Sequence, residues 1–246
     1  MTGEPVVSCR GATKTFVMGK EAVHALRGIT VDIAGGEYVS IMGPSGSGKS
    51  TLFNMIGGLD TPTAGDVRVE GCRLSELNSA QLAWFRCRKI GFIFQSFNLV
   101  PTMSALENVA IARIFAGVTR GQAREDASRV LERMGLGHRL DNLPSQVSGG
   151  QQQRIAIARA LVNEPLIILA DEPTRNLDLR TGEEIINLLN EMKQRLGVTV
   201  ITATHDMKML SASDIVVQIR DGAIERVATK AQMNITVGTI DGETVS

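Results

Sequence analysis

Apolar residues alternate with polar ones in the first part of the chain and occur later in short unbroken runs. Val6–Val17 and Val23–Ile33 alternate as strands of an antiparallel sheet do, with a predicted turn at 18–20 between them. Three short apolar runs are typical of strands buried between helices on both faces of a sheet: Glu37–Met42, Leu166–Ala170 and Val198–Thr202. The pattern therefore predicts an α/β fold with an antiparallel β subdomain.

Helical patterns fill much of the remaining chain. Capping-box spacing marks the predicted starts of several helices: Asn78/Gln81, Ser104/Glu107, Thr119/Gln122 and Thr181/Glu184. Two predicted helices, roughly 105–116 and 120–134, follow each other without a strand between them. This block therefore indicates an inserted helical subdomain, about 97–160.

A glycine-rich loop follows the first buried strand. Gly43–Thr51 fits the phosphate-loop pattern G-x-x-x-x-G-K-[ST], and a helix can begin at Ser50. Backbone N–H groups of such a loop and the positive end of the next helix favour an anion. Lys49 would add charge at the phosphates, and the Ser50 hydroxyl is a candidate Mg²⁺ ligand. The alternative is an ordinary Gly/Ser turn. The candidate ATP-binding residues here are Gly43, Pro44, Ser45, Gly46, Ser47, Gly48, Lys49, Ser50 and Thr51.

Other polar residues follow the later predicted strands. Asp171 and Glu172 end an apolar strand, and buried carboxylates are costly unless a cation such as Mg²⁺ compensates them. Gln95 and His205 follow two other strands. Because ligands gather at the carboxyl ends of strands in open α/β sheets, we expect these residues and the glycine-rich loop to meet at one edge.

Composition and charge limit the classes of partner. The chain has 246 residues, with 26 basic and 26 acidic side chains, so no global field favours nucleic acid. Three cysteines without metal-ligand spacing suggest reduced thiols in a cytosolic protein. No signal peptide is expected at the start, and the uncharged stretch Ile90–Leu106 is too polar for a membrane span. Work at a membrane would require recruitment by another subunit.

Aromatic residues and one glycine pair have two interpretations each. Phe16 is either a core residue or a stacking surface for a purine. Of Phe92, Phe94 and Phe97, one or two are expected in the core, and the remainder could form an apolar docking patch in the stretch that turns at Pro101. Val147–Gln151 is either a helix cap with two glycines or a second anion site.

Six motifs in order resemble those of the ATP-binding cassette (ABC) family of ATPases, over roughly residues 6–228. They are the Walker A loop Gly43–Thr51, the Q-loop residue Gln95, the signature Val147–Gln151, a Walker B strand ending at Asp171, the D-loop Asn176–Asp178 and the switch residue His205. The resemblance implies a P-loop NTPase (RecA-like) core with an antiparallel β subdomain and an inserted α-helical subdomain. It also implies one nucleotide-binding domain over 1–230 and a short tail over 231–246.

The resemblance implies roles for individual residues in Mg²⁺-dependent hydrolysis of ATP to ADP and phosphate. Ser50, Gln95 and Asp171 would belong to the Mg²⁺ shell. Glu172 would polarise the attacking water, and Gln95 and His205 would complete the catalytic set.

The remaining contacts to ATP follow from the same resemblance. Phe16 would stack on adenine, where the family often has tyrosine. The signature would supply Ser148, Gly149, Gly150 and Gln151. Since this half-site has no lysine of its own, each chain of a homodimer would cover the ATP of its partner.

Three further segments resemble one branch of the family, which serves lipoprotein release, macrolide efflux and antimicrobial-peptide resistance. They are Gly57–Pro62, Phe94–Pro101 and Ala105–Val109. The resemblance implies an ATPase subunit that couples dimerisation to a separate membrane permease. Its expected location is the cytoplasmic face of the inner (plasma) membrane, and the stretch Phe92–Pro101 is the expected permease contact.

Two rival functions share the same active site. One is a non-transport coupling ATPase of the cell-division type, which acts through a membrane partner. The other is a soluble cassette ATPase of DNA repair or translation. The absence of a basic face, a coiled-coil insertion and a second cassette argues against the second rival, and no nucleic acid partner is expected.

Two residues depart from the family pattern. Val147 replaces the usual leucine, a small apolar change. Arg175 lies where the branch usually has glycine. If the backbone there requires a positive φ, arginine is strained by about 1 kcal/mol or more, and the D-loop geometry and turnover would change. The alternative is that Arg175 reaches an acidic or phosphate group across the dimer.

Overall fold

The computed structural model describes residues 4–19, 21–205, 207–232, 235–236, 239–240 and 243–244. Its helices are α1 (Lys49–Ile56), α2 (Ser79–Lys89), α3 (Ala105–Phe115), α4 (Arg120–Arg133), α5 (Gly149–Leu161), α6 (Leu179–Leu196) and α7 (Met207–Leu210). Its first strands are β1 (Val7–Met18), β2 (Glu21–Ile33), β3 (Tyr38–Met42), β4 (Ala64–Val69), β5 (Cys72–Arg73), β6 (Ile90–Ile93) and β7 (Ile167–Asp171). The later strands are β8 (Thr199–Ala203), β9 (Ile215–Arg220), β10 (Ala223–Thr229), β11 (Ile235–Thr236), β12 (Thr239–Ile240) and β13 (Glu243–Thr244).

The described residues form two compact units, and the first lies within Met1–Leu82 and Asn190–Ser246. In this unit an antiparallel sheet has the order β2-β1-β4-β5. A second set of strands has β3 at its centre, parallel to both β8 and β9, while β10 is antiparallel to β9. All residues of β3 and β8 are buried, as expected for unbroken apolar strands.

The second unit comprises Ala83–Leu189. Strands β6 and β7 run parallel, and Ile93 pairs with Ala170 at their carboxyl ends. A Cβ on Gly91 would stand 2.5 Å from the backbone oxygen of Ala160, so only glycine allows α5 to approach β6 this closely. The buried apolar residues of α3, α4 and α5 form the core of the helical part, and they include Val109, Leu131 and Ile155.

The structure confirms the predicted α/β class and most predicted elements. The capping boxes at Ser104 and Ser148 are present. The Asn78 amide donates to the Gln81 side-chain oxygen, and the Gln81 amide donates to the Asn78 side-chain oxygen, as expected. The Thr119 side chain, by contrast, makes no capping hydrogen bond. The prediction that Thr181 caps its helix is wrong because Asp178, a stronger acceptor, takes that role, so α6 begins at Leu179.

Two predicted features fall partly outside the described residues. The first is the predicted turn at 18–20, because Lys20 is not among the described residues. Within the predicted tail over 231–246, residues 233–234, 237–238, 241–242 and 245–246 also lie outside the described part of the chain. The described residues there include the short antiparallel strands β11, β12 and β13.

Candidate functional site

The glycine-rich loop leaves the carboxyl end of β3 and turns directly into α1. A Cβ on Gly43 would stand 2.1 Å from the backbone oxygen of Ile219, and a Cβ on Gly48 would stand 2.6 Å from that of Ala25. Both distances are shorter than real Cβ contacts, so these positions require glycine. Gly48 also has φ 104°, a left-handed conformation that favours glycine at the N-cap of α1.

Polar groups converge on the inner side of this loop. The Lys49 ammonium donates to the backbone oxygens of Gly43 at 2.7 Å and Pro44 at 2.9 Å. The Ser47 hydroxyl oxygen is buried and has no hydrogen-bond partner among the described residues. Since buried polar atoms are normally paired, this hydroxyl is suited to a ligand held by the loop.

The rest of the loop is open to solvent. Pro44, Ser45, Gly46 and Ser50 are exposed. Gly48, Lys49 and Thr51 are partly buried. The loop therefore presents a cradle that is fixed at Gly43 and Gly48 and exposed at residues 44–46.

His205 lies at the same edge of the first unit as this loop. Strands β3 and β8 are parallel neighbours, and Ile41 pairs with Ala203 near their carboxyl ends. The Thr204 amide donates to the Ile41 oxygen at 3.1 Å, which fixes the start of the segment that carries His205. His205 itself is exposed.

Phe16 belongs to the antiparallel sheet of the first unit and is 40% exposed, so it is not a core residue. The Lys14 ammonium lies 5.2 Å from the ring centroid, within the range of a cation–π contact. Lys14 is itself held by the Asp60 carboxylate at 2.5 Å and the Thr61 oxygen at 2.8 Å. Lys14 therefore lies against the Phe16 ring, and part of the ring remains exposed to solvent.

In the second unit, Gln95 follows β6, and Asp171 is the last residue of the adjacent parallel strand β7, with Glu172 directly after it. All three residues are partly buried. The backbone of Glu172 has φ 47°, an unusual conformation for glutamate that turns the chain sharply after β7. The structure therefore places these three residues at one edge of the second unit.

The D-loop contacts the Q-loop directly. The Asn176 side-chain amide donates to the Gln95 backbone oxygen at 3.0 Å. Asp178 accepts from the Thr181 amide at 3.0 Å and from its hydroxyl at 2.6 Å, and these bonds lower the pKa of Asp178. Arg175 is exposed and is not among the described residues with positive φ, so the concern about backbone strain there is wrong.

The signature segment begins α5. The Ser148 hydroxyl accepts from the Gln151 amide at 3.3 Å, and the Gln151 side chain accepts from the Ser148 amide at 3.0 Å. A Cβ on Gly150 would stand 2.5 Å from the Thr181 methyl carbon, whereas one on Gly149 would meet nothing closer than 3.6 Å. A side chain at position 150 would therefore displace Thr181, whereas a Cβ at position 149 would make only ordinary contacts.

Two residues near the candidate site were not predicted individually as site residues. Asn176 was named only as part of the D-loop motif, and its bond to Gln95 spans distant parts of the sequence. Arg159 donates to the backbone oxygens of Phe97 and Asn98. No sequence pattern could reveal Arg159, because its acceptors are backbone atoms that every residue carries.

The phosphate loop and the parallel strands that end beside it define the class of protein as a P-loop nucleoside triphosphatase. Comparisons with known proteins narrow this class. A family model described as ABC transporter matches residues 26–175. An ABC transporter ATP-binding protein of Thermotoga maritima is 51% identical over 212 residues, which cover 86% of this chain and 90% of that protein.

A solved structure and a longer relative agree with this match. The dimeric cassette MJ0796, solved with ADP and Pi in a post-hydrolysis state, has a TM-score of 0.84 and 44% identity, covering 91% of this chain and 98% of its own. The macrolide export ATP-binding/permease protein MacB of Brucella abortus is 49% identical over 240 residues, 98% of this chain. The matched region spans only 37% of that MacB protein.

These matches show that the chain belongs to the ABC transporter family, in which it is an ATP-binding cassette with ATPase activity. Among the described residues, no helix is both long and apolar enough to cross a bilayer.

Proposed function

We propose that the chain is the ATP-hydrolysing subunit of a transporter, and that MgATP drives two copies to close on each other. This proposal depends mainly on the geometry of the loop 43–51. A Cβ at Gly43 or Gly48 would clash with neighbouring backbone atoms, so the loop is closely packed at both positions, and the Lys49 ammonium donates to the Gly43 oxygen inside it. The loop 43–51 and Phe16 would hold the nucleotide in one chain. Ser148, Gly149, Gly150 and Gln151 of the second copy would close over the triphosphate.

The residues after the strands would carry out hydrolysis. Glu172 would polarise the attacking water, and Gln95 and His205 would orient the water and the γ-phosphate. We further propose a single nucleotide-binding domain over 1–230, with a helical subdomain at about 97–160 and a tail over 231–246.

The oxygen donors of Ser50, Gln95 and Asp171 fit a Mg²⁺ ion. A hydroxyl, an amide and a single carboxylate leave room for phosphate oxygens and water, which Mg²⁺ prefers over a cage of protein ligands. The ion would neutralise charge on the β- and γ-phosphates. The described part of the chain has no cluster of three or more His, Cys, Asp or Glu residues that could hold a metal ion.

Glu172→Gln tests both the hydrolysis and the dimer. We expect this variant to bind MgATP, to lose ATPase activity and to form a dimer detectable by light scattering. Glu125→Gln is the control, because Glu125 is an exposed residue of α4 and should retain parent activity. A Glu172→Gln protein that stays monomeric at saturating MgATP would contradict the dimer proposal.

A separate membrane permease is the proposed partner. MacB of Brucella abortus, 37% of which this chain matches, is by name an ATP-binding/permease protein, and this supports a permease as the partner of the cassette. The proposed contact is the stretch Phe92–Pro101. Phe92 and Phe94 are partly buried and stack with their ring centroids 5.7 Å apart, whereas Val100 is 36% exposed. Recruitment would place the chain on the cytoplasmic face of the inner membrane.

Val100→Asp tests this contact, because it adds charge to the exposed part of the patch. We expect the variant to keep its basal ATPase activity and to lose both copurification with a membrane protein and stimulation by it. Val227→Asp is a matched control, because Val227 is also exposed but lies on β10. If Val100→Asp retains recruitment and stimulation, the contact lies elsewhere. A copurified partner that is not a permease would favour a coupling role instead of transport.

A further inference from the structure

Two consecutive left-handed residues follow Gln95. Phe97 has φ 60° and Asn98 has φ 49°. Asparagine adopts this conformation at modest cost, but a phenylalanine there is unusual and requires contacts that hold it. The Phe97 amide donates to the Phe94 oxygen at 3.1 Å and the Asn98 amide to the Ser96 oxygen at 2.6 Å, so the loop turns tightly.

Arg159 of α5 supplies contacts that hold this turn. Its guanidinium donates to the Phe97 oxygen at 2.8 Å and to the Asn98 oxygen at 2.6 Å. The ion pairs of the described residues do not include Arg159, and its burial lowers its pKa. A partly buried cation without a carboxylate partner is unusual, and the donors of Arg159 are directed at the backbone oxygens of the two left-handed residues.

The same loop also contacts the other end of α5. The Phe97 ring reaches 3.9 Å from the position that a Cβ on Gly149 would take, while the Phe97 carbonyl accepts from Arg159. Gly149 and Arg159 are separated by about 15 Å along a helix axis. The Phe97 ring therefore lies near the N-terminal end of α5, and the Phe97 backbone is hydrogen-bonded to Arg159 near the C-terminal end.

We infer that Arg159 is a positioning residue that locks the loop 95–98 onto α5, so that Gln95 and the segment Ser148–Gly150 keep a fixed relative placement. This inference rests on the proposed function, in which both segments contact nucleotide. Without Arg159, the left-handed turn relaxes, and the loop 95–98 is no longer held in a fixed position relative to the segment Ser148–Gly150. Nucleotide binding by the phosphate loop lies in the first unit and does not depend on this lock.

Arg159→Met removes both hydrogen bonds and keeps most of the side-chain bulk. We expect kcat for ATP hydrolysis to fall about tenfold, while the affinity of the monomer for ATP and the KM stay within about twofold. Arg159→Lys keeps a donor for at least one carbonyl and should recover most of the lost kcat. Arg88→Met is the matched control, because Arg88 also donates to a backbone oxygen, that of Ala116 at 2.7 Å, away from these segments.

A backbone substitution tests the same lock independently. Glycine adopts a left-handed conformation without a Cβ penalty, so Asn98→Gly lowers the strain that Arg159 offsets. We expect Asn98→Gly to restore part of the kcat lost in Arg159→Met. Asn98→Val, whose branched side chain disfavours positive φ, should lower kcat even with Arg159 present.

The outcomes separate this inference from the proposed function. Failure of Glu172→Gln protein to form a dimer with MgATP would overturn the proposed function, whatever Arg159 does. If the parent dimerises and hydrolyses ATP but Arg159→Met keeps parent kcat, the inference is wrong. Equal losses of kcat and of monomer affinity for ATP, with a lower urea midpoint, would indicate a purely structural role and would also overturn it.

Discussion

The Asn176 side-chain amide donates to the Gln95 backbone oxygen across 3.0 Å, which links two loops that follow adjacent strands. Asn176 lies two residues before Asp178, the N-cap of α6. It acts on Gln95 only through the Gln95 backbone oxygen. The bond holds the backbone from which the Gln95 side chain projects. Residues at the end of β6 and residues after β7 therefore have a common support.

Removing this bond tests its importance for turnover. We expect Asn176→Ala to lower kcat about fivefold, because one neutral hydrogen bond contributes about 1 kcal/mol. Asn176→Asp should lower it further, since it places a carboxylate oxygen against the Gln95 carbonyl. Steady-state ATPase measurements at saturating MgATP check both. Asn187→Ala, at an exposed position of α6, is the control, and equal kcat in Asn176→Ala and parent would contradict the expectation.

Substitutions of loop glycines should separate a steric clash from backbone strain. Gly43→Ala places a Cβ 2.1 Å from the Ile219 oxygen, so we expect the free energy of unfolding without nucleotide to fall by about 3 kcal/mol. Gly46→Ala meets nothing within 4 Å, but its φ is 80°, so a loss of only about 1 kcal/mol is expected. Urea unfolding measures both values, and a Gly46→Ala loss as large as that of Gly43→Ala would contradict the clash.

Asp126 should make stability depend on acid pH. This buried carboxylate of α4 accepts from Arg113 at 2.8 and 2.6 Å, from Gln122 at 3.0 Å and from Arg129. The hydrogen bond from Arg113 is the largest cause of its lowered pKa. Because the pKa is lower in the folded protein, the stabilisation is complete above about pH 4, where unfolded aspartate is also ionised, and is lost as pH falls through the folded pKa.

Asp126→Asn should remove this pH dependence. We expect the free energy of unfolding at pH 7 to fall by on the order of 2 kcal/mol, with the difference from the parent shrinking below about pH 4. Urea unfolding at several pH values measures the difference. Glu191→Gln is the control, because its ion pair with Arg195 is exposed and should contribute little. A difference that stays constant down to pH 2 would contradict the assignment.

Much of the fold and the phosphate loop could be predicted because the signals are local. Apolar runs such as Leu166–Ala170 and the spacing of Gly43, Gly48 and Lys49 depend only on neighbouring residues. The start of α6 was missed because Asp178 and Thr181 both have capping chemistry, and their mutual hydrogen bonds decide which one acts. Contacts between segments distant in sequence had no such signal.

Gly150 and Arg159 are examples of residues whose contacts join segments distant in sequence. The sequence suggests that Gly150 serves anion binding, whereas the structure adds a packing reason, the approach of Thr181. The role of Arg159 depends on backbone oxygens of Phe97 and Asn98 that no residue pattern identifies. Both contacts form only when chain segments far apart in sequence come together, so the local pattern of residues does not predict them.

Phe16 gives a final prediction, which separates contacts to the base from contacts to the phosphates. Its ring is 40% exposed, and Lys14 lies 5.2 Å from the centroid. If adenine stacks on this ring, Phe16→Ala should weaken ATP binding about tenfold, because an aromatic stacking contact contributes about 1 kcal/mol beyond the area it buries. Phe16→Tyr keeps the ring and should bind as the parent does. Calorimetric titration with ATP measures these affinities.

Binding of a ligand that has phosphates but no base shows whether Phe16 contacts the base of ATP. Inorganic tripolyphosphate has no base, so its affinity should be the same for the parent and Phe16→Ala, while Lys49→Ala should weaken both ligands. Val17→Ala is the matched control on β1, because Val17 is 76% exposed next to Phe16 and should leave ATP affinity unchanged. If Phe16→Ala weakens tripolyphosphate as much as ATP, the ring supports the loop and does not contact the base.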